Sequence, residues 1–558
     1  MSIKGIILLR FLGLFLLLLL SNTSNSQNND SIELDFIPYY QEGRDILHHI
    51  DKWDITTDTL GDIHTSHRQY SPNALYKAGY YHANIIKKTD RKGRFSQFYR
   101  NPNLLYEVRE KDFSLGFNVL FDFALGRESN TSQAIYLNKR GVELYGQLDG
   151  KLYFYSSYQE NQSNFLSYQT PFINRFSAIR GRGNYKDFQS SIFDSLVGFD
   201  YGFATGFLGY KLSKHTTLEI GHSRHFIGNG IRSLILSNTG HNYFNVKLEA
   251  KFWKIHYQSI FAELSTISAR FNRGNVLLPK KYMASHYLSY KPRHNIELGV
   301  YEAIIFSREN NFELQYLNPV IFYRTIEHQL DSPDNVLIGL NAKWNLYKTL
   351  SLYGQFVLDE LNVSEFFGSN QWWANKYGIQ LGIKYPNVFT LNHLDAQLEY
   401  NRVRPYTYSH WQRSGIGEIT VSNYSHFNQP LAHPLGANFT ELIFKLIYQP
   451  TPRIRAKAQY LYTQVGIDPL DDSLNNGSNI LISNGTRTAD FGIAQNQGDL
   501  KTIHGLSLLI SYELKPHLYW DINAIYRSES TVSDTGEIDS NFIGTGLRYN
   551  IAKASVDY

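Results

Sequence analysis

The stretch Asn242 to Phe252 alternates strictly between apolar and polar side chains. Phe244, Val246, Leu248, Ala250 and Phe252 fall on one side, and Tyr243, Asn245, Lys247, Glu249 and Lys251 on the other. A period of two predicts a β-strand whose faces meet different surroundings. The pattern recurs toward the C-terminus. In Arg453 to Tyr462, Ile454, Ala456, Ala458, Tyr460 and Tyr462 oppose Arg453, Arg455, Lys457 and Gln459, with Leu461 out of step. In Leu518 to Arg527, Leu518, Trp520, Ile522, Ala524 and Tyr526 oppose Tyr519, Asp521, Asn523 and Arg527, and Ile525 breaks the rule. From Phe113 onward the pattern predicts about eighteen strands, an even number as in single-chain bacterial barrels.

The connections alternate in length as well. Short ones are expected at Asp149-Gly150, Ser213 to His215, Trp253-Lys254, Pro292 to His294, Lys348-Thr349, Pro386-Asn387, Pro450 to Pro452 and Lys515 to His517. Long ones are expected at Gly126 to Gln133, Gln162 to Ser195, Gly228 to Gly240, Thr266 to Tyr282 and Ser307 to Asn335. Asn362 to Asn375, Val403 to Asn438, Ile467 to Lys501 and Glu529 to Glu537 complete that set. Short periplasmic turns with long external loops are the asymmetry of outer-membrane barrels. The predicted fold is therefore all-β, a transmembrane antiparallel up-and-down β-barrel over residues 113–558. Arg455 facing lipid at the midplane would cost about 2–4 kcal/mol, and Asp521 somewhat less, so both are expected in the lumen. The chain ends on Tyr558, an aromatic residue of the kind a barrel assembly signal uses.

The N-terminus has a different pattern. Lys4 and Arg10 precede an apolar run from Phe11 to Leu20, followed by small and polar residues through Ser26. That run is short of the roughly 20 residues a membrane-spanning helix needs, so residues 1–26 read as a signal peptide. Residues 27–112 are predicted to form a periplasmic segment or plug. Gln41 to Trp53 and Asn73 to Ile86 are its candidate short helices, and Lys87 to Arg94 is a basic connector.

Composition sharpens this picture. Aromatic residues make up 15% of the chain, with Tyr 41 and Phe 35, which suits interface girdles. Mean hydropathy is -0.35, too polar for a helical membrane protein but compatible with a barrel, where alternate residues face lipid. The net charge of +4 gives no argument for nucleic acid. Without cysteine there is no disulfide, thiolate zinc site or lipoprotein anchor.

The sequence contains no phosphate-binding loop, zinc-protease His-Glu pair or nucleophile elbow. His222 and His225 sit three apart, which on a strand places them on opposite faces, unsuited to sharing a metal. Asp468, Asp471 and Asp472 could supply carboxylates to Ca²⁺, but the spacing favours a solvated acidic loop. Asp359-Glu360 closes a strand, either facing the lumen or pairing at the rim. No catalytic residue, metal site or cofactor is expected. The remaining candidates are Trp372, Trp373 and Trp411 in external loops, with Arg402, Arg404 and Arg413 nearby. Aromatic platforms beside arginine suit contact with sugars or acidic polysaccharide, although each Trp singly is more often an interface anchor or loop filler.

Several segments share a likeness. They are Gly221-His222-Ser223-Arg224-His225-Phe226-Ile227-Gly228-Asn229-Gly230 followed by Arg232-Ser233-Leu234, Tyr316-Leu317-Asn318-Pro319, Asp359-Glu360, Asn375-Lys376, Glu399 to Tyr408, and Pro430 to Asn438. Together they resemble the Wzi-type capsule-assembly barrels, most closely the RemB-type gliding-motility proteins within that family. The resemblance implies a non-enzymatic barrel in the cell outer membrane, in contact with lipid. It further implies support for gliding motility or for attachment and assembly of surface polysaccharide, with motility or secretion machinery as partners. The alternative is a porin-like channel for small anionic or sugar solutes, with Lys247, Arg455 and Lys457 lining it.

Overall fold

The computed structural model describes residues 46–57, 63–68 and 105–558, apart from 130, 132, 191–196, 267–278, 309–312, 321, 331, 333, 361–362, 367–369, 412–413, 416–417, 420, 470–473, 516 and 552–556. The signal segment, the candidate helix Asn73 to Ile86 and the connector Lys87 to Arg94 lie outside the described residues.

Eighteen strands run up and down in chain order. The first nine are β1 (Phe113–Glu128), β2 (Ala134–Leu148), β3 (Leu152–Ser163), β4 (Val197–Lys211), β5 (Thr216–Ser223), β6 (Tyr243–Phe252), β7 (Ile255–Ser265), β8 (Lys280–Arg293) and β9 (Ile296–Phe306). The second nine are β10 (Asn335–Leu346), β11 (Leu350–Glu360), β12 (Lys376–Tyr385), β13 (Leu394–Val403), β14 (Phe439–Thr451), β15 (Ile454–Ile467), β16 (Asp499–Lys515), β17 (Leu518–Thr531) and β18 (Asp534–Tyr549). Each pairs antiparallel with its neighbours. The sheet closes where β18 meets β1, from Phe121 opposite Tyr549 to Glu128 opposite Phe542. The periplasmic half of the same β1 edge carries a short strand, Tyr106–Arg109, so the sheet begins slightly before the predicted Phe113.

Turn chemistry follows the sequence at seven of the eight predicted short connections; the one placed at Pro386-Asn387 runs on to His393 through a 3₁₀ turn (Val388–Thr390). Asp149 and Gly150 both adopt positive φ (50° and 61°), the pair of left-handed residues that a tight hairpin turn requires. One predicted external loop is wrong: Glu529 to Glu537 is mostly paired strand, and the ladder continues to Thr531 opposite Asp534. Above the membrane both faces of a hairpin meet water, so alternation fades while backbone pairing continues.

The alternation resolves as lipid outside and a filled lumen inside. In β6, Tyr243, Asn245, Lys247 and Glu249 are buried, while Phe244 and Phe252 are exposed. The two misfits are lumenal: Leu461 packs with Ile443, Ile503 and Tyr558, and Ile525 is buried on the inner wall. Lumenal strand residues act as sockets for loop backbone. Leu234 N–H donates to Gln355 at 2.8 Å, and Arg232 N–H to Glu399 at 3.0 Å. Loop 224–242 thereby brings Ile227, Leu234, Ile235 and Leu236 into a central apolar core with Tyr408, Tyr424, Leu431 and Ile480 from other loops.

The described N-terminal residues also enter the lumen. Helix α1 (Ile46–Thr56) overlaps the predicted Gln41 to Trp53. Its Lys52 reaches Asp395 at 2.8 Å, and its Asp51 meets Lys384 at 2.5 Å. Thr65 and Ser66 N–H groups donate to Glu297 at 2.9 and 3.0 Å, and Lys343 bonds both Asp54 and Thr65.

The end of the chain departs from expectation. The last strand stops at Tyr549, and Tyr558 turns back into the lumen, where its hydroxyl bonds Glu441. Its ring is enclosed among Ile443, Leu461 and Ile503 while its hydroxyl meets Glu441 and Thr463, away from the lipid edge that an assembly signal on the terminal strand would occupy.

Candidate functional site

At the external end, three loops converge: 361–375, 404–438 and 468–498. Their junction is Arg404. This buried guanidinium donates to the carbonyls of Asn375 (3.3 Å), Ile493 (3.0 Å) and Trp372 (3.4 Å). Burial lowers the pKa of Arg404, a cost offset by the three carbonyl dipoles. Trp373 N–H donates to the Asp490 carbonyl at 2.9 Å, stitching the same two loops. Arg402 adds a third link, donating to Gln495 at 3.2 Å.

On this base stands an aromatic cluster. The Trp372 and Trp373 rings lie 6.0 Å apart at 61°, and Tyr406 meets Trp373 edge-on at 6.3 Å. The Arg487 guanidinium covers Trp373 at 4.0 Å, while Asp490 holds that arginine at 2.6 Å. Trp411 is 47% exposed and packs on Gly485; a Cβ there would meet its Cδ1 at 2.7 Å. His410 beside it falls to about pKa 4, chiefly through burial and secondarily through Lys376, and is neutral at physiological pH.

The structure thus joins Trp372, Trp373, Trp411 and Arg404 into one assembly, with Arg402 at its edge. Arg413 lies outside the described residues. Arg404 and Arg402 hold loops together; among the described residues the cation stacked closest on Trp373 is Arg487, paired with Asp490 and missed by sequence reasoning. Arg487 is 83 positions from Arg404, and no local pattern marks it.

Other candidates resolve as structural. Asp359 and Glu360 pair with Lys376 at 3.4 and 3.1 Å, and Asp359 also accepts the Tyr408 N–H at 2.7 Å, making a rim ion pair. Asp468 is buried, against the expected solvated loop. It accepts the N–H groups of Asn476, Ser478 and Asn479 and the Ser478 hydroxyl, because a folded loop needs its turn donors satisfied. Asp471 and Asp472 lie outside the described residues. His225 lies beyond the end of β5 and bonds Asn245 at 3.0 Å. Among the described residues no group of three or more His, Asp or Glu is arranged to hold a metal.

Beneath the loops a cavity of about 530 Å³ follows the closing seam of the barrel. Arg180, Arg182, Arg224, Gln429 and Tyr558 line it, and it reaches Leu47 of α1.

The family model of the capsule assembly protein Wzi matches residues 141–537. The chain belongs to the Wzi capsule-assembly family. Its barrel resides in the outer membrane. Solved structures similar to this Wzi-family chain share little sequence with it. One is Wzi, an outer-membrane protein involved in group 1 capsule assembly in Escherichia coli, described as a carbohydrate-binding β-barrel. It has 14% identity, TM-score 0.49, and coverage of 78% of this chain and 85% of that one. Another is Pseudomonas aeruginosa OprD, at 12% identity, TM-score 0.41, and coverage of 83% and 98%. Acinetobacter baumannii OccAB3 gives 11%, 0.41, and coverage of 79% and 99%. No curated protein shows significant sequence similarity to the chain.

Proposed function

We propose that this Wzi-family barrel is a non-enzymatic scaffold that holds capsule-type polysaccharide at the cell surface. The observation that carries the reading is the loop junction. Three external loops bolted by Arg404 present Trp372, Trp373 and Trp411 beside Arg487, above a lumen filled with side chains. Flat rings suit the apolar faces of sugars, and a guanidinium suits carboxylates or phosphates on them. In this reading residues 1–26 are removed on export, 27–112 form the periplasmic segment or plug, and 113–558 form the barrel. The likeness to RemB-type proteins extends the role to gliding motility, with motility or secretion machinery as partners. Replacing Trp372, Trp373 and Trp411 with Ala is expected to reduce surface glycan retention while heat-modifiable gel migration stays unchanged. Undiminished retention would remove the loops from the mechanism. A deletion strain scored for capsule staining and colony spreading separates the glycan role from the motility role.

The second reading, a channel, draws on the seam cavity that reaches from Phe165 in an external loop to Leu47 of α1. Of the cations expected to line it, Lys247 is engaged by Glu219 at 3.2 Å. Planar-bilayer recording tests it. A filled lumen predicts little steady current, and a large open current favours the channel.

A further inference from the structure

The outward face of β9 changes character halfway up. Leu298 and Val300 are 47% and 49% exposed, as lipid-facing residues should be, yet Glu302, Ile304 and Phe306 on the same face are buried. The same break occurs next door. Leu288 of β8 is exposed while Ala284 and Tyr282 above it are buried, and Leu340 and Ile338 of β10 are exposed while Val336 is buried. What covers this patch is the external loop between β9 and β10, folded back down the outside of the barrel. Its 3₁₀ turn (Leu314–Leu317) and helix α2 (Tyr323–Leu330) pack Tyr316, Tyr323 and Ile326 against Tyr282, Ala284, Ile304, Phe306 and Val336.

The flap also resolves a chemical conflict. Glu302 and His286 point outward from the wall, where bare hydrocarbon would leave them without partners. Arg324 N–H, in the first turn of α2, donates to Glu302 at 3.1 Å, so the positive end of the helix meets the carboxylate. The Tyr323 ring stacks on His286 at 4.0 Å, and Tyr257 bonds both His286 (2.8 Å) and the Pro319 carbonyl (2.5 Å). Arg308 anchors the far end through a two-pronged contact with Asp334 at 2.7 and 2.8 Å.

The other side of the flap is largely apolar before α2, with Gln315 and Asn318 interspersed, and polar along α2, where Arg324, Thr325, His328 and Gln329 are exposed. Leu314, Leu317, Val320 and Phe322 are 71%, 41%, 87% and 71% exposed. They continue the band of Leu298, Val300, Ile338 and Leu340 that already faces acyl chains. We propose that this flap is an interfacial membrane anchor, with Leu314, Leu317, Val320 and Phe322 seated in the acyl-chain layer of the outer leaflet. Left in water, four large apolar side chains in nine residues would form an aggregation-prone patch. Placed against lipid, they make the flap an amphipathic element lying in the interface, with Glu302 and His286 satisfied at the wall and the exposed Arg324, Thr325, His328 and Gln329 of α2 left to the headgroup layer.

The natural absence of cysteine makes the test direct. Single variants Val320→Cys and Phe322→Cys, at exposed positions, carry a nitroxide in the full-length barrel reconstituted in phospholipid vesicles. Leu340→Cys marks the lipid-facing wall, and Ala489→Cys marks an exposed external loop. Collisions with oxygen and with a water-soluble nickel chelate are compared. At 320 and 322 the oxygen-to-nickel ratio is expected to match that at 340 and to exceed that at 489 several-fold. Nickel access equal to that at 489 would place the flap in water and overturn the proposal. Low access to both reagents would overturn it too, because a protein partner or second copy would then cover the face.

Discussion

Tyr558 donates its hydroxyl to Glu441 inside the barrel, joining the last residue of the sequence to the wall of β14. Glu441 also receives His433 at 2.8 Å and Arg232 at 3.4 Å, while Arg232 reaches Asp557 at 2.7 Å. The tail therefore completes a buried charge network that fixes loop 224–242. Burial opposes the charge on Arg232, but Glu441 and Asp557 more than compensate and raise its pKa.

Removing Asp557 and Tyr558 is expected to leave the barrel assembled but less stable, by less than the roughly 3–5 kcal/mol of a stranded buried charge, because Arg232 keeps Glu441. Strand pairing does not involve the tail, so heat-modifiable migration should persist while the unfolding midpoint falls. Failure of the truncated chain to enter the membrane would restore Tyr558 as the assembly signal.

Lys247 offers a sharper test of the inward face of β6. It sits between Glu219 (3.2 Å) and Glu249 (3.9 Å), all three buried. Lys247→Met takes the ammonium from Glu219, leaving it the Tyr153 hydroxyl, and from Glu249, which keeps His256, and should cost up to about 3–5 kcal/mol in a urea refolding titration followed by gel shift. Leu248→Ala, on the lipid side, should cost less. The reverse order would mean the faces have been assigned the wrong way round.

Arg404→Lys should not preserve the external platform. A single ammonium cannot span three carbonyls on two loops as a planar guanidinium does. The expected outcome is several-fold faster protease cleavage in loops 361–375 and 468–498, together with reduced glycan retention. Wild-type cleavage and retention in this variant would show that Trp372 and Trp373 are held by other contacts.

Residues 63–68 should loosen in acid. His64 and His67 are pushed down to about pKa 4 and about 3, mainly by burial. His64 lies beside Glu297 and Lys291. His67 bonds Ser289 at 2.9 Å and Gln258 at 3.2 Å, and its ring stacks on His256 at 3.6 Å. Both imidazoles are neutral in the folded state and bind fewer protons there than when released. Their stabilisation is therefore complete above pH 6.5 and drains away as pH falls toward 4 and then 3. Amide hydrogen exchange at Ser66 and His67, measured at pH 7, 5 and 4, should accelerate progressively relative to the strands. Unchanged relative protection would show that the segment is held without these histidines.

What the sequence by itself determined is the barrel. Strand alternation depends on which side of a ladder each residue occupies, a local property that lipid and lumen enforce residue by residue, so strand number, turns and inward face were legible. Even the departures were local: Leu461 broke the pattern because Tyr558 and the loop residues Ile231 and Leu435 pack behind it, and Ile525 because it lines the seam cavity. Only the tertiary structure decided how that space is filled, that Arg404 bolts three loops under Trp372 and Trp373, and that α2 covers Glu302 outside the wall. Those contacts join residues separated by tens to hundreds of positions, and no short-range period encodes which distant partner satisfies a buried charge.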